Sequence, residues 1–135
     1  MEYYKIQKDK IGFINHEGKV ISAFEYDWIG PFQDDYMGQY ENGLAQVGIK
    51  GKIGLINSYG NIIIPLIYDE IEGFSHGLAV VKRNGKYGFV NIKGKEIVPP
   101  IFDEAHPYNG YSSEVTLKGE TFQIDRSGNR IEEDY

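Results

Sequence analysis

The sequence predicts an all-β fold of tandem three-stranded antiparallel meander units, three full and a partial fourth, arranged as an open twisted stack. A closed barrel- or propeller-like arrangement of the same units is the alternative. Three observations carry this. A phrase recurs: an apolar pair, Asn or Asp, two residues, Gly, an apolar run, then aromatic-Asp. It is written Phe13-Ile14-Asn15-His16-Glu17-Gly18, Leu55-Ile56-Asn57-Ser58-Tyr59-Gly60 and Phe89-Val90-Asn91-Ile92-Lys93-Gly94, with a decayed copy at Gln123-Ile124-Asp125-Arg126-Ser127-Gly128. The four glycines fall 42, 34 and 34 residues apart. A period in this range marks stacked units, each too small to bury its own apolar face. Finally, 17 glycines, 11 tyrosines and 7 phenylalanines favour turns and strands over helices.

The third unit shows each element most clearly. Two β-rich runs, Gly77–Val81 and Lys86–Asn91, flank Asn84-Gly85, the dipeptide suited to a type I′ turn because both central residues need positive φ. Lys50-Gly51 and Lys118-Gly119 hold the same place in units two and four, and Asp9 holds it in unit one. Asn91-x-x-Gly94 suits a type I turn. A third strand, Glu96-Ile97-Val98, follows, and Pro99-Pro100 is expected to end its pairing.

Pairing across Asn84-Gly85 sets Val81 opposite Gly88 and Ala79 opposite Val90. Unit two sets Val47 opposite Gly54 and Ala45 opposite Ile56. This small, β-branched face is expected to pack inward and to admit a neighbouring backbone. The bulkier face, Leu78, Val80, Tyr87 and Phe89, matched by Leu44, Gln46, Ile53 and Leu55, is expected to be partly covered. Tyr26-Asp27, Tyr68-Asp69 and Phe102-Asp103 follow the third strands, with Phe32, Phe74 and Tyr108 five positions after each Asp. Each Asp is expected to accept backbone amides two residues on and so fix a corner. The aromatics are expected to fill space between units. Glu132-Glu133-Asp134 at one end, and Lys5, Lys8 and Lys10 at the other, are expected to blunt sheet edges.

A chain of 135 residues reads as one repeat domain, with units about 3–42, 43–76, 77–109 and 110–135. It contains no cysteine, which excludes thiol chemistry, Cys-ligated zinc and disulfides. The formal charge is −6, and the longest basic cluster is Lys82-Arg83, so nucleic acid is disfavoured and a basic protein partner is favoured. No leader-like or membrane-spanning apolar run is present, which reads as a cytoplasmic chain. An open stack leaves terminal strands exposed, so a monomer or weak dimer is expected.

Taken together, Gly77-Leu-Ala-Val-Val, Lys86-Tyr-Gly-Phe-Val-Asn91, Gly94-Lys-Glu-Ile-Val-Pro99, Phe102-Asp103 and Tyr108 resemble the bacterial WG (KWG) repeats. The Trp position of that motif is Ile11, Ile53 and Tyr87 here. The sole tryptophan, Trp28, stands elsewhere in the unit. The resemblance implies a repeat scaffold used for binding, with no defined reaction and no cofactor.

Candidate chemistry is sparse. Asp27, Asp69 and Asp103 repeat through space instead of converging, as acid–base pairs must. His16, His76 and His106 occupy three different unit positions, and no metal-ligand spacing links them. Ser75 and His76 are adjacent, which does not by itself make a nucleophile–base pair. No phosphate-loop glycine pattern occurs. No catalytic residue and no metal site is therefore assigned.

The sharper clue is a break in period. Eight surplus residues follow Phe32, in Gln33-Asp34-Asp35-Tyr36-Met37-Gly38-Gln39-Tyr40-Glu41. Insertions in repeat proteins map to loops, often on the binding face. Trp28, Asp34, Asp35, Tyr36 and Tyr40 are the candidate partner-binding residues. The expected function is a non-catalytic protein–protein interaction module, with a small acidic inhibitor or immunity-type protein as a special case. The alternative is carbohydrate or surface-ligand binding through the loop aromatics.

Overall fold

The computed structural model describes residues 2–7, 10–15, 17–21, 25–33 and 43–132, with no side-chain detail for 2–7, 13 and 15. Among these residues there are strands and turns and no helix. The chain divides into two compact units, Met1–Tyr68 and Asp69–Tyr135.

In the first unit, β1 (Glu2–Gln7) and β2 (Lys10–Asn15) form a hairpin. A four-stranded sheet follows, made of β3 (Trp28–Ile29), β4 (Leu44–Ile49), β5 (Lys52–Asn57) and β6 (Ile62–Tyr68), in that order. The second unit repeats this plan. β7 (Glu70–Ile71), β8 (Leu78–Arg83), β9 (Lys86–Asn91) and β10 (Glu96–Phe102) form a four-stranded sheet. β11 (Glu104–Ala105), β12 (Ser113–Leu117) and β13 (Glu120–Ile124) form a three-stranded one. Among the described residues all pairings are antiparallel and no sheet closes on itself. The fold is all-β with tandem meanders, as expected. Each later meander also gains a two-residue strand, β3, β7 or β11, from the preceding corner.

The hairpin turns take the type I′ form. Lys50, Asn84 and Lys118 have φ of 51°, 54° and 51°, and the glycines after them 82°, 79° and 83°. Asp9 lies outside the described residues. At the second turn the Asn or Asp side chain holds the loop. Asn91 Oδ1 accepts the amides of Lys93 at 3.0 Å and Lys95 at 2.9 Å. Asn57 does the same with Tyr59 and Asn61, and Asp125 with Ser127 and Asn129.

The prolines do not end the third strand. Phe89 pairs with Val98 and Tyr87 with Phe102, so four residues of β10 span two of β9. β6 repeats this, with Leu55 on Ile64 and Ile53 on Tyr68. The extra residues, around Pro65 and Pro99-Pro100, bulge out and the pairing then resumes, because proline is tolerated where no ladder amide is needed. The bulge carries strand backbone over Gly54 and Gly88. A β-carbon on Gly88 would collide with the Val98 carbonyl and lie 2.7 Å from Pro100 N. Gly54 meets the Ile64 carbonyl in the same way. These two positions therefore demand glycine for space.

Packing follows the two-face expectation. Ala45, Val47, Ile56, Ala79, Val81 and Val90 are fully buried, as expected of the small face. The bulky face is covered unevenly: Leu78, Val80 and Phe89 are buried, while Tyr87, Gln46 and Ile53 stay part exposed, as expected of a partly covered face. In the second unit Leu78, Val80 and Phe89 pack with Val115 and Ile124, the small-face residues of the last hairpin, together with Val98, Phe102 and Tyr108. Within the second unit the bulky face of one meander thus seats on the small face of the next, and these two repeats share a core. Tyr108 fills the join. Its ring meets Phe89 edge-on at 4.7 Å, and its hydroxyl donates to the Asp125 carbonyl at 2.7 Å. Burial pushes the Tyr108 phenol up to about 12. In the first unit Ala45, Val47 and Ile56 pack with Tyr26, Ile21, Ile29, Phe32 and Leu66.

The final repeat departs from the pattern at two positions. Phe122 stands where Gly54 and Gly88 admit a third strand, and Glu132 where Ile64 and Val98 are buried. Pairing there shrinks to the bridge between Ile124 and Arg130. The Arg130 guanidinium lies 4.4 Å over Phe122 and bonds Glu120 at 2.8 Å. Phe122 and Arg130 thus line the β13 edge. At the other end, Lys10 does not stand free along an edge but pairs with Asp27. Lys5 and Lys8 side chains, and Glu133 and Asp134, lie outside the described residues.

Candidate partner-binding face around Trp28

The corner aspartates are structural latches, though not the local ones expected. Asp27 Oδ2 accepts the amide of Lys50 at 2.7 Å, 23 residues on, and its other oxygen takes the Lys10 ammonium. Asp103 repeats this with the Lys118 amide at 2.8 Å and the Lys86 ammonium. Asp69 accepts the Asn84 amide at 3.0 Å. In each case the donor is the first central residue of the next hairpin's turn. The carboxylate thus clamps the next repeat, and does not bend its own chain. These bonds hold the Asp27 and Asp103 carboxyls below the usual range, through the lysine first and the turn amide second. Latch separations of 23, 15 and 15 residues differ by the eight surplus residues, so the insertion leaves the clamp intact.

The insertion has a defined neck. Gln33 and Leu44 exchange backbone hydrogen bonds of 2.8 and 2.9 Å. Ser75 and Leu78 make the matching pair in the next repeat, with only His76 and Gly77 between them. Gly43 and Gly77, at φ 79° and 83°, lead into the strand identically. The extra residues are therefore inserted at one tight turn. Asp34, Asp35, Tyr36 and Tyr40 lie within that insertion, outside the described residues.

Trp28 is described. It pairs with Gly48 across β3 and β4, and its indole lies directly on that glycine, where any β-carbon would overlap the ring. The residue is 38 % exposed. In the next repeat the equivalent pair is Glu70 and Lys82, an ion pair at 3.5 Å, and in the last it is Glu104 and Thr116. A position that elsewhere carries polar side chains here presents an aromatic plate. Aligning the three repeats strand by strand would have exposed the Gly48 partner; reading Trp28 alone did not. Tyr59, Ile62 and Ile67 of the same unit are also exposed.

One cluster in the second unit looks reactive and is not built for it. Ser75 Oγ lies 3.2 Å from His76 Nδ1, closer than adjacency alone implied. The serine hydroxyl donates instead to the Tyr108 carbonyl at 2.8 Å, and Nδ1 sits 3.1 Å from that same oxygen. A hydroxyl whose proton is directed at a carbonyl is not primed by the imidazole. His76 itself holds the left-handed turn at φ 54°, and its carbonyl accepts from Arg126 at 2.6 Å. His106 is exposed, 3.9 Å from Glu114.

A family model described as WG containing repeat matches residues 11–37, 53–87 and 87–112. Each match opens at Ile11, Ile53 or Tyr87, the positions where the motif places its tryptophan. No curated protein and no solved structure matches the chain. The recurring glycines, latch aspartates and bulged third strands, matched over well over half its length, place this chain in the WG-containing repeat family.

Proposed function

We propose that this β-repeat protein is a non-catalytic module that docks another protein on the face around Trp28. One observation carries the reading. The recurring polar groups are engaged in holding turns and corners, whereas the Trp28–Gly48 pair breaks the repeat to expose an indole on the segment that leads into the insertion. Indole and phenol rings offer large contact area at low conformational cost and dominate interface energetics. The −6 charge supports a basic partner, with neutralisation of a basic protein as the narrower form of the reading.

Affinity capture from the native cell tests it, with wild type, Trp28→Glu and the Tyr36→Ala/Tyr40→Ala double variant side by side. The expected outcome is a partner held by wild type and lost from Trp28→Glu. Identical partner sets from all three proteins refute the reading.

A further inference from the structure

We propose that the open face of Trp28 receives a cationic side chain, arginine in the first place, presented by a basic segment of the partner. This rests on the interaction reading above and names what that face takes. Three observations support it. Aromatic rings in the second unit carry their own cations: Lys82 lies 5.4 Å from the Tyr87 ring centre, Arg126 6.0 Å from Tyr108 and Arg130 4.4 Å from Phe122. Among the described residues no cation lies over Trp28, although indole is the strongest cation-binding ring of the set.

The register explains why. The repeat position that supplies Lys82 is Gly48 here, and the Glu70 position is Trp28. One exchange thus removes the chain's own cation and installs the ring that would attract one. The stretch of sequence that carries Trp28 has the matching sign, while Lys10, by its ammonium, and Lys50, by its backbone amide, are both drawn to Asp27. Residues 25–41 contain Glu25, Asp27, Asp34, Asp35 and Glu41 and no Lys or Arg. Asp27 is compensated by Lys10, which leaves the exposed Glu25 as the nearest described carboxylate along the chain. Arginine suits the plate better than lysine, because the planar guanidinium stacks on an indole and is more weakly hydrated than an ammonium.

Trp28 is the sole tryptophan, so its emission reports this face directly. The probe is a capped decapeptide of alternating arginine and glycine, titrated at about 0.15 M salt, where exposed charges are screened beyond roughly 8 Å. A second peptide carries citrulline, which keeps the shape and removes the charge. The expected result is a saturable emission change with the arginine peptide, weaker by about fivefold with citrulline. By calorimetry Trp28→Glu binds the arginine peptide about fivefold more weakly, and Trp28→Phe falls between. Glutamate occupies the equivalent position in both later repeats, so Trp28→Glu should fold, and its melting curve checks this.

Equal affinity of wild type and Trp28→Glu for the arginine peptide overturns the proposal, as does no binding. A response to an oligosaccharide panel without one to the peptide overturns it in favour of a sugar. Emission that changes on dilution alone overturns it in favour of a second copy of the chain. If partner capture depends on Trp28 while the peptide is silent, the interaction reading stands and the cationic occupant is wrong. If neither depends on Trp28, both fall.

Discussion

The same strand position is solved differently in the two halves of this chain. At Glu70 and Lys82 an ion pair covers the start of the sheet, and at Trp28 and Gly48 an indole lies flat on bare backbone. Both solutions sit beside the same latch, since Asp27 and Asp69 each accept the amide of the next turn. The scaffold therefore does not need the tryptophan. A repeat protein separates what every unit must keep from what one unit alone displays, and the displayed residue is the better guide to binding.

That comparison breaks most forcefully at a kept position. Gly88→Ala drives a methyl group into the Val98 carbonyl and the Pro99-Pro100 bulge, and should cost about 3 kcal/mol in denaturant unfolding. Gly85→Ala, with open space around it and only a φ of 79° to strain, should cost about 1 kcal/mol. If the two variants unfold alike, the close passage of β10 over Gly88 is not what fixes that glycine.

Tyr108→Phe removes the hydroxyl bonded to the Asp125 carbonyl and should cost about 1 kcal/mol. It should also soften the alkaline limb. Burial raises the phenols of Tyr26 and Tyr108 from 10.0 to about 12, with Glu25 a second cause at Tyr26 and Asp125 at Tyr108. Their folded-state values exceed the unfolded ones, so their contribution is whole below pH 10.0 and is lost as pH rises toward 12. Thermal melts from pH 8 to 12 should show the loss in wild type and less of it in Tyr108→Phe.

The latch carboxyls act at the acid end. Asp27 and Asp103 are held below 3.8, so what they add is present above that value and disappears as pH falls beneath it. Asp103→Asn should lower the melting temperature at pH 7 and flatten its decline below pH 4. An unchanged acid limb would mean that ionisation of Asp103 does not contribute to stability. The smallest expected change is at the displayed position itself. Trp28→Glu should move stability by no more than about 0.5 kcal/mol, as for ordinary surface substitutions, while abolishing partner capture.

Much of the scaffold was legible because its signals are local. Asn84-Gly85 requires its turn, Asn91 and Gly94 theirs, and alternation along Leu78–Val81 defines two faces. What escaped depends on residues brought together only by the fold. Asp103 looks like a turn former until the register places the Lys118 amide against it. Pro99-Pro100 reads as a stop because a bulge that resumes pairing at Phe102 is invisible in one strand. The bulky face, expected to be partly covered, is buried at Leu78, Val80 and Phe89 because in the second unit it meets the small side of the last hairpin. For the candidate face, Trp28 was legible as an outlier. Its bed on Gly48 was not, since that needs the pairing of β3 with β4.

Amide hydrogen exchange of the protein with and without its captured partner tests the central claim most directly. The account predicts added protection at Trp28–Ile29 and Gln46–Gly48, and none at the Asn91–Lys95 turn or along β13. Protection confined to those turns and edges, with the Trp28 strand unchanged, would contradict it.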